Sequence, residues 1–128
     1  MARKQTILIA DDDKVFVAMM ADTLRAKGFN VIVAFDAMQA LMFARQSNPA
    51  AVLLDVNMPG GTGLETLKKL RMMNTTSQIP VLVVTGSTDA KVASEVSTLG
   101  ADKFIKKPVD PSQLYDTLME TLGKSDER

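Results

Sequence analysis

The residues able to do chemistry cluster at the ends of apolar runs. Asp11, Asp12 and Asp13 follow Thr6-Ile7-Leu8-Ile9-Ala10, and Asp55 follows Ala51-Val52-Leu53-Leu54. Thr85 closes Val81-Leu82-Val83-Val84, and Lys106-Lys107-Pro108 follows Lys103-Phe104-Ile105. Carboxylates gathered in one place cannot all stay ionised without compensation. A hard divalent cation such as Mg²⁺, which takes oxygen ligands, is one compensator. A lysine acting as a point charge is another. With a hydroxyl added, the set suits phosphoryl transfer onto a carboxylate. The cation, the lysine and the hydroxyl each take a phosphoryl oxygen while the aspartate attacks in line.

Composition removes the competing chemistries. The chain has no Cys, so it has no disulfide framework, zinc-thiolate site or thiol nucleophile. It has no His, which excludes a Ser-His-Asp triad, a His-ligated metal and a phosphohistidine of its own. No Gly-x-Gly-x-x-Gly follows the first apolar run, and no Walker sequence occurs, which speaks against dinucleotide and P-loop functions. Fifteen Lys+Arg balance 15 Asp+Glu, a poor composition for nonspecific binding to nucleic acid or to a membrane surface. The N-terminus is basic, but the apolar run after it ends at once in aspartates. It is too short for a signal sequence or a membrane span, so a cytoplasmic protein is expected. A length of 128 residues predicts one domain over 1–128, with a core over 6–122 and a polar, fraying tail over 123–128.

Short apolar runs alternate with amphipathic ones. Strands are expected near 6–10, 30–35, 51–54, 80–85 and 103–105, the continuous runs being suited to burial on both faces. Helical spacing appears over 14–27, with Val17, Met20, Ala21 and Leu24 on one stripe and Gly28 as the stop. Asp36 with Gln39, and Thr62 with Glu65, read as capping boxes. Asn57 to Gly61 reads as a loop before the third helix, which runs to about Met73. A fourth helix spans about 89–99. Asp110-Pro111-Ser112-Gln113 opens a fifth. Five β-α units in strict alternation argue an α/β fold, a parallel sheet with helices on both faces. Such folds place their sites outside the carboxyl ends of the strands, where the aspartates, Thr85 and the lysines fall.

These residues together resemble the receiver domain of two-component response regulators, in particular the stand-alone, chemotaxis-type regulators. The matching features are Asp11-Asp12, Leu-Leu-Asp55-Val-Asn-Met-Pro-Gly, Gly63, Val-Leu-Val-Val-Thr85-Gly and Lys107-Pro108. The resemblance implies a flavodoxin-like three-layer sandwich with strand order 2-1-3-4-5 and five helices. It implies Asp55 as phosphoacceptor, and Mg²⁺ held by Asp11, Asp12, Asp55 and the backbone carbonyl of Asn57. Thr85 would bond a phosphoryl oxygen, and Lys107 would pair with Asp55 and then with the phosphoryl group. Phe104 falls at the family's aromatic switch position, and the Lys107-Pro108 bond at one that is cis in the family. Phosphorylation would then bias a protein-binding surface formed by the fourth helix, fifth strand and fifth helix. The implied partners are a histidine kinase or histidine phosphotransfer protein and a downstream protein target, with no nucleic acid or membrane bound directly. The implied molecule is a monomer or weak dimer, and not an enzyme beyond its own phosphorylation and dephosphorylation.

Asp13 stands where the family more often has Glu, and Lys14 where Pro is frequent. Phe104 lacks the phenolic hydroxyl of the Tyr often found there. Taken singly, the aspartate run reads as a helix cap, Thr85 as a strand-end hydroxyl and Phe104 as core. The joint occurrence carries the reading. Phe16 and Met19 lie off the main stripe of the first helix. They are either singly exposed apolar residues or, as the resemblance implies, a docking patch for the phosphodonor. Two alternatives stand beside the receiver. One is a haloacid-dehalogenase-like phosphatase using Asp11 and Asp13, since Asp11-Asp12-Asp13-Lys14-Val15 fits its first motif. The other is a receiver scaffold that is not phosphorylated.

Overall fold

The computed structural model describes residues 4–58, 60–87 and 89–126. The basic N-terminus up to Arg3, Pro59 and the last two residues of the polar tail lie outside the described residues. The apolar runs form β1 (Thr6–Ala10), β2 (Asn30–Ala34), β3 (Ala51–Leu54), β4 (Val81–Thr85) and β5 (Lys103–Lys106). All pair in parallel, in the order β2-β1-β3-β4-β5. β3 and β4 are buried along their whole length and β1 from Ile7 onward. Side chains on both faces are covered, so these runs carry no polar alternation.

Five helices supply the cover: α1 (Lys14–Ala26), α2 (Ala37–Ser47), α3 (Gly63–Met72), α4 (Ala90–Thr98) and α5 (Pro111–Asp126). Alternate strand residues feed opposite cores. Ile7, Ile9, Leu53, Leu82 and Val84 pack with Val17, Met20 and Leu24 of α1 and with Leu114 and Leu118 of α5. Leu8, Val52, Leu54, Val81 and Val83 pack with Ala40 and Ala44 of α2, Leu67 and Leu70 of α3 and Val96 of α4. The result is the flavodoxin-like three-layer sandwich expected from the resemblance. Each fully buried leucine contributes about 1.5–3 kcal/mol of apolar transfer free energy.

Local chemistry sets the helix starts. Asp13, Asp36, Thr62 and Asp89 each accept from a backbone N–H in the first turn of α1, α2, α3 and α4, satisfying donors that have no intrahelical partner. Asp110 does the same for Ser112 at the start of α5. Two expectations need correction. The stretch expected to be a plain loop contains a small antiparallel ladder, Asn57–Met58 against Gly61–Thr62. The tail expected to fray from Lys124 instead continues α5 to Asp126.

One polar anchor ties the far side of the sheet together. The Arg71 guanidinium donates to the carbonyls of Ile79 at 2.6 Å, Gly100 at 3.0 Å and Ser77 at 3.2 Å, and to Asp102 at 3.1 Å. Asp102 in turn accepts from Val81 N–H at 2.9 Å. The end of α3, the entry to β4 and the turn before β5 are thereby fixed to one another.

Candidate functional site

The parallel ladder runs one residue past the strands and sets the site residues at its edge. Asp11 N–H donates to the Ala34 carbonyl at 3.0 Å, and Asp55 N–H to the Ala10 carbonyl at 2.9 Å. Lys107 N–H donates to the Thr85 carbonyl at 2.8 Å. The central strands β1 and β3 are neighbours, so Asp11 and Asp55 emerge side by side. One carboxylate oxygen from each of Asp11, Asp12 and Asp55 lies within 4.8 Å of the others. Asp11 and Asp55 are buried, whereas Asp12 is exposed.

Lys107 crosses from β5 into this cluster through a cis Lys107-Pro108 bond. Its Nζ is 2.7 Å from Asp11 Oδ2, 3.6 Å from Asp55 Oδ2 and 3.8 Å from Asp13 Oδ2. The expected pairing with Asp55 is thus present, but the short hydrogen bond goes to Asp11. The outer face of the ammonium is covered by the Phe16 ring, whose centroid is 4.4 Å from Nζ.

Burial pushes the Asp11 carboxyl above its usual range. The hydrogen bond from Lys107 and that from Asp13 N–H oppose the rise, and the charge of Asp55 adds to it. Burial by itself would lower the Lys107 ammonium. The hydrogen bond and charge of Asp11, together with the charges of Asp55 and Asp13, outweigh it and hold the lysine above its usual value. Asp11 shifts upward chiefly through burial, and Lys107 through the carboxylates around it. Lys107 is strongly held as a cation while Asp11 remains under-compensated.

A hard divalent cation fits this deficit. The donors are all carboxylate oxygens, the set that suits Mg²⁺ or Ca²⁺ and not a soft transition metal. Asp13 stands apart from the group. Its Oδ1 accepts from Val15 and Phe16 N–H, both at 3.2 Å, as the cap of α1. Asn57 is exposed, and its N–H donates to Asp55 Oδ1 at 3.0 Å. That bond holds one carboxylate oxygen and leaves Oδ2 facing the lysine.

Gly63 is part of the same construction. A Cβ there would stand 2.2 Å from Val56 Cα and 2.6 Å from the Asp55 carbonyl oxygen. Only glycine lets the first residue of α3 touch the backbone behind Asp55. Its N–H donates to the Val56 carbonyl at 2.9 Å. Thr85 is fully buried at the end of β4, and its Oγ1 accepts from Ser87 N–H at 3.3 Å. Phe104 is half-buried opposite Val83 and packs on the α4 side of the sheet. Strand alternation puts Thr85 on that same side.

The comparisons with known proteins decide the class. Residues 7–119 match the family model described as the response regulator receiver domain. This chain belongs to that family. As a response regulator receiver domain it is a signalling module of two-component systems. Receivers bind Mg²⁺ at an acidic site, and response regulators work with histidine kinases and downstream targets. The chain is 34% identical over 124 residues to the DNA-binding response regulator MtrA of Mycolicibacterium paratuberculosis, covering 97% of this chain and 54% of that protein. It is 38% identical over 121 residues to the transcriptional regulatory protein CpxR of Klebsiella pneumoniae, covering 93% of this chain and 50% of that one. The receiver thus spans about half the length of these curated relatives. Among solved structures it is similar to a CheY-like receiver from Methanospirillum hungatei, with a TM-score of 0.92 at 26% identity and 98% of each chain covered. It is also similar to the chemotaxis regulator CheY4 of Vibrio cholerae, with a TM-score of 0.86 at 31% identity, covering 93% of this chain and 99% of that one. Among the described residues no helix is long and apolar enough to cross a membrane.

The phosphatase alternative loses its footing here. It needs Asp11 and Asp13 as the working pair, yet Asp13 caps a helix and Asp55 takes its place in the cluster. Sequence reasoning also left two residues unassigned. Val15 joins Phe16, Met19, Pro108 and Val109 in an apolar groove of about 360 Å³ that borders Asp13 and Lys107. Val15 enters the sequence reading only as the last position of the phosphatase-type motif; its i, i+4 spacing to Met19 is the signal that could have linked the two. Arg71 carries no sequence signal at all, since its partners come from two separate segments, 77–79 and 100–102.

Proposed function

We propose that this receiver takes a phosphoryl group onto Asp55 from a phosphohistidine of a kinase or phosphotransfer protein. The observation that carries the reading is the grouping of Asp55 with Asp11, Asp12 and Lys107 at the carboxyl edge of the sheet. The free Asp55 oxygen attacks phosphorus, the P–N bond breaks, and the donor imidazole leaves with the electron pair. Asp11, Asp12, Asp55 and the Asn57 carbonyl would hold Mg²⁺, which would supply neutralisation of the phosphoryl charge. Lys107 takes a second phosphoryl oxygen, moving from Asp11 over a short distance. The Thr85 hydroxyl takes a third. Its movement toward the phosphoryl group opens space on the α4 side of the sheet, into which Phe104 turns. The α4-β5-α5 surface then changes, and a downstream protein reads it.

The groove beside Lys107 seats the donor. Phe16, Val15 and Met19 offer apolar contact next to the acceptor, which suits the helix bearing a donor histidine. The unit acts in the cytoplasm, as a monomer or weak dimer, and catalyses nothing beyond its own phosphorylation and dephosphorylation.

The test is incubation with Mg²⁺ and acetyl phosphate, followed by intact mass. A single phosphoryl increment, lost in Asp55→Asn and kept in Asp13→Asn, is expected. An increment that survives Asp55→Asn would sink the assignment. No increment from acetyl phosphate or from a cognate kinase would favour the scaffold reading instead.

A further inference from the structure

The Phe16 ring touches the cation that competes for the metal's own ligand. Nζ of Lys107 lies 4.4 Å above the ring centroid and 2.7 Å from Asp11 Oδ2. The lysine side chain is only 16% exposed. In that desolvated setting an ammonium over an aromatic face is attracted more strongly than at an open surface. The ring and Asp11 hold the ammonium together, and Asp55 is left the more distant partner at 3.6 Å.

From this geometry we propose that Phe16 is a positioning residue that holds Lys107 on Asp11 and thereby weakens the site's hold on its divalent cation. A metal ion at the acidic cluster needs an Asp11 oxygen, and the Lys107 ammonium occupies that carboxylate. Whatever stabilises the ammonium there works against the metal. The ring therefore sets how much Mg²⁺ is needed before Lys107 is released toward Asp55. The inference rests on reading Asp11, Asp12 and Asp55 as a divalent-cation site. It adds a residue that is not a ligand and has no charge.

Mg²⁺ titration of four variants tests it, with calorimetry or thermal shift as the readout and no phosphodonor present. Phe16→Leu keeps the apolar cover but loses the aromatic face, and is expected to bind Mg²⁺ roughly three- to fivefold more tightly than wild type. Phe16→Tyr, which keeps the face, returns the wild-type constant. In a Lys107→Met background, Phe16→Leu produces no further change, because the ammonium it acts on is gone. A second readout reports the contact itself. The Lys107 Cε protons carry an upfield ring-current shift in wild type and in Phe16→Tyr, and lose it in Phe16→Leu. Equal Mg²⁺ affinity in wild type and a folded Phe16→Leu would overturn the inference and leave the metal site standing. So would an effect of Phe16→Leu that persists without Lys107. Absence of Mg²⁺ binding by wild type would overturn the site reading, and the inference with it.

Discussion

Lys107 is bonded to Asp11 at 2.7 Å and stands 3.6 Å from Asp55. The half-buried Lys107 ammonium therefore rests on a carboxylate proposed to bind metal, beside the carboxylate proposed to react. This relationship makes the resting site a charge problem that is only partly solved, and the first prediction follows from it.

Asp11→Asn is expected to raise the thermal midpoint of the metal-free protein and to abolish its stabilisation by Mg²⁺. Burial raises the Asp11 carboxyl above 3.8, its usual value, so the folded state holds that proton more tightly than the unfolded chain. Stability then falls as pH rises from 3.8 through the raised value, and the deficit persists above it. The Asn variant lacks that slope. Lys107 acts in a different window: its contribution is complete below 10.5 and is lost as pH rises through its raised value. Urea unfolding in EDTA across the acid range, wild type against variant, checks the sign.

Gly63→Ala is expected to destabilise by about 1–3 kcal/mol, the usual cost of overpacking. The added Cβ meets backbone atoms of Asp55 and Val56, which cannot rotate away. Mg²⁺ affinity should fall as well, since Asp55 must shift. Chemical denaturation and metal titration of the same sample measure both.

Much of this was legible in the sequence, for a physical reason. The caps Asp13, Asp36, Thr62 and Asp110 act on backbone two or three residues away, so local spacing reveals them. Asp11, Asp55 and Thr85 each end a continuous apolar run that suits a buried strand, Lys107 follows the shorter Lys103–Lys106 strand, and parallel order brings such ends together. The choice of Asp11 over Asp55 by Lys107 was not legible. It is decided by less than 1 Å between residues 96 positions apart. The Phe16 ring and the Arg71 anchor were hidden for the same reason, because each acts on residues remote in the chain. The short ladder at Asn57–Met58 was missed because two residues carry no periodicity.

Arg71→Met is expected to cost about 2–4 kcal/mol of stability, since it removes the ion pair to Asp102 and the hydrogen bonds to three carbonyls. Mg²⁺ affinity should be unchanged, because the anchor lies at the opposite end of β4 from Thr85. Urea unfolding and metal titration separate the two effects.

The absence of Trp from this chain makes Phe104→Trp a single fluorescent reporter of the switch. Its emission is expected to shift on addition of acetyl phosphate with Mg²⁺. Adding Thr85→Val should suppress the shift while leaving Asp55 able to take the phosphoryl group. A full shift without the Thr85 hydroxyl would remove Thr85 from the proposed relay.

Asp55 is proposed as the residue that becomes phosphorylated. Borohydride reduction of the protein after treatment with acetyl phosphate and Mg²⁺ converts an aspartyl phosphate to homoserine, and peptide mass mapping then locates it. Homoserine is expected at position 55, with unmodified aspartate at 11, 12 and 13. Homoserine at any of those three positions, with position 55 unmodified, would contradict it.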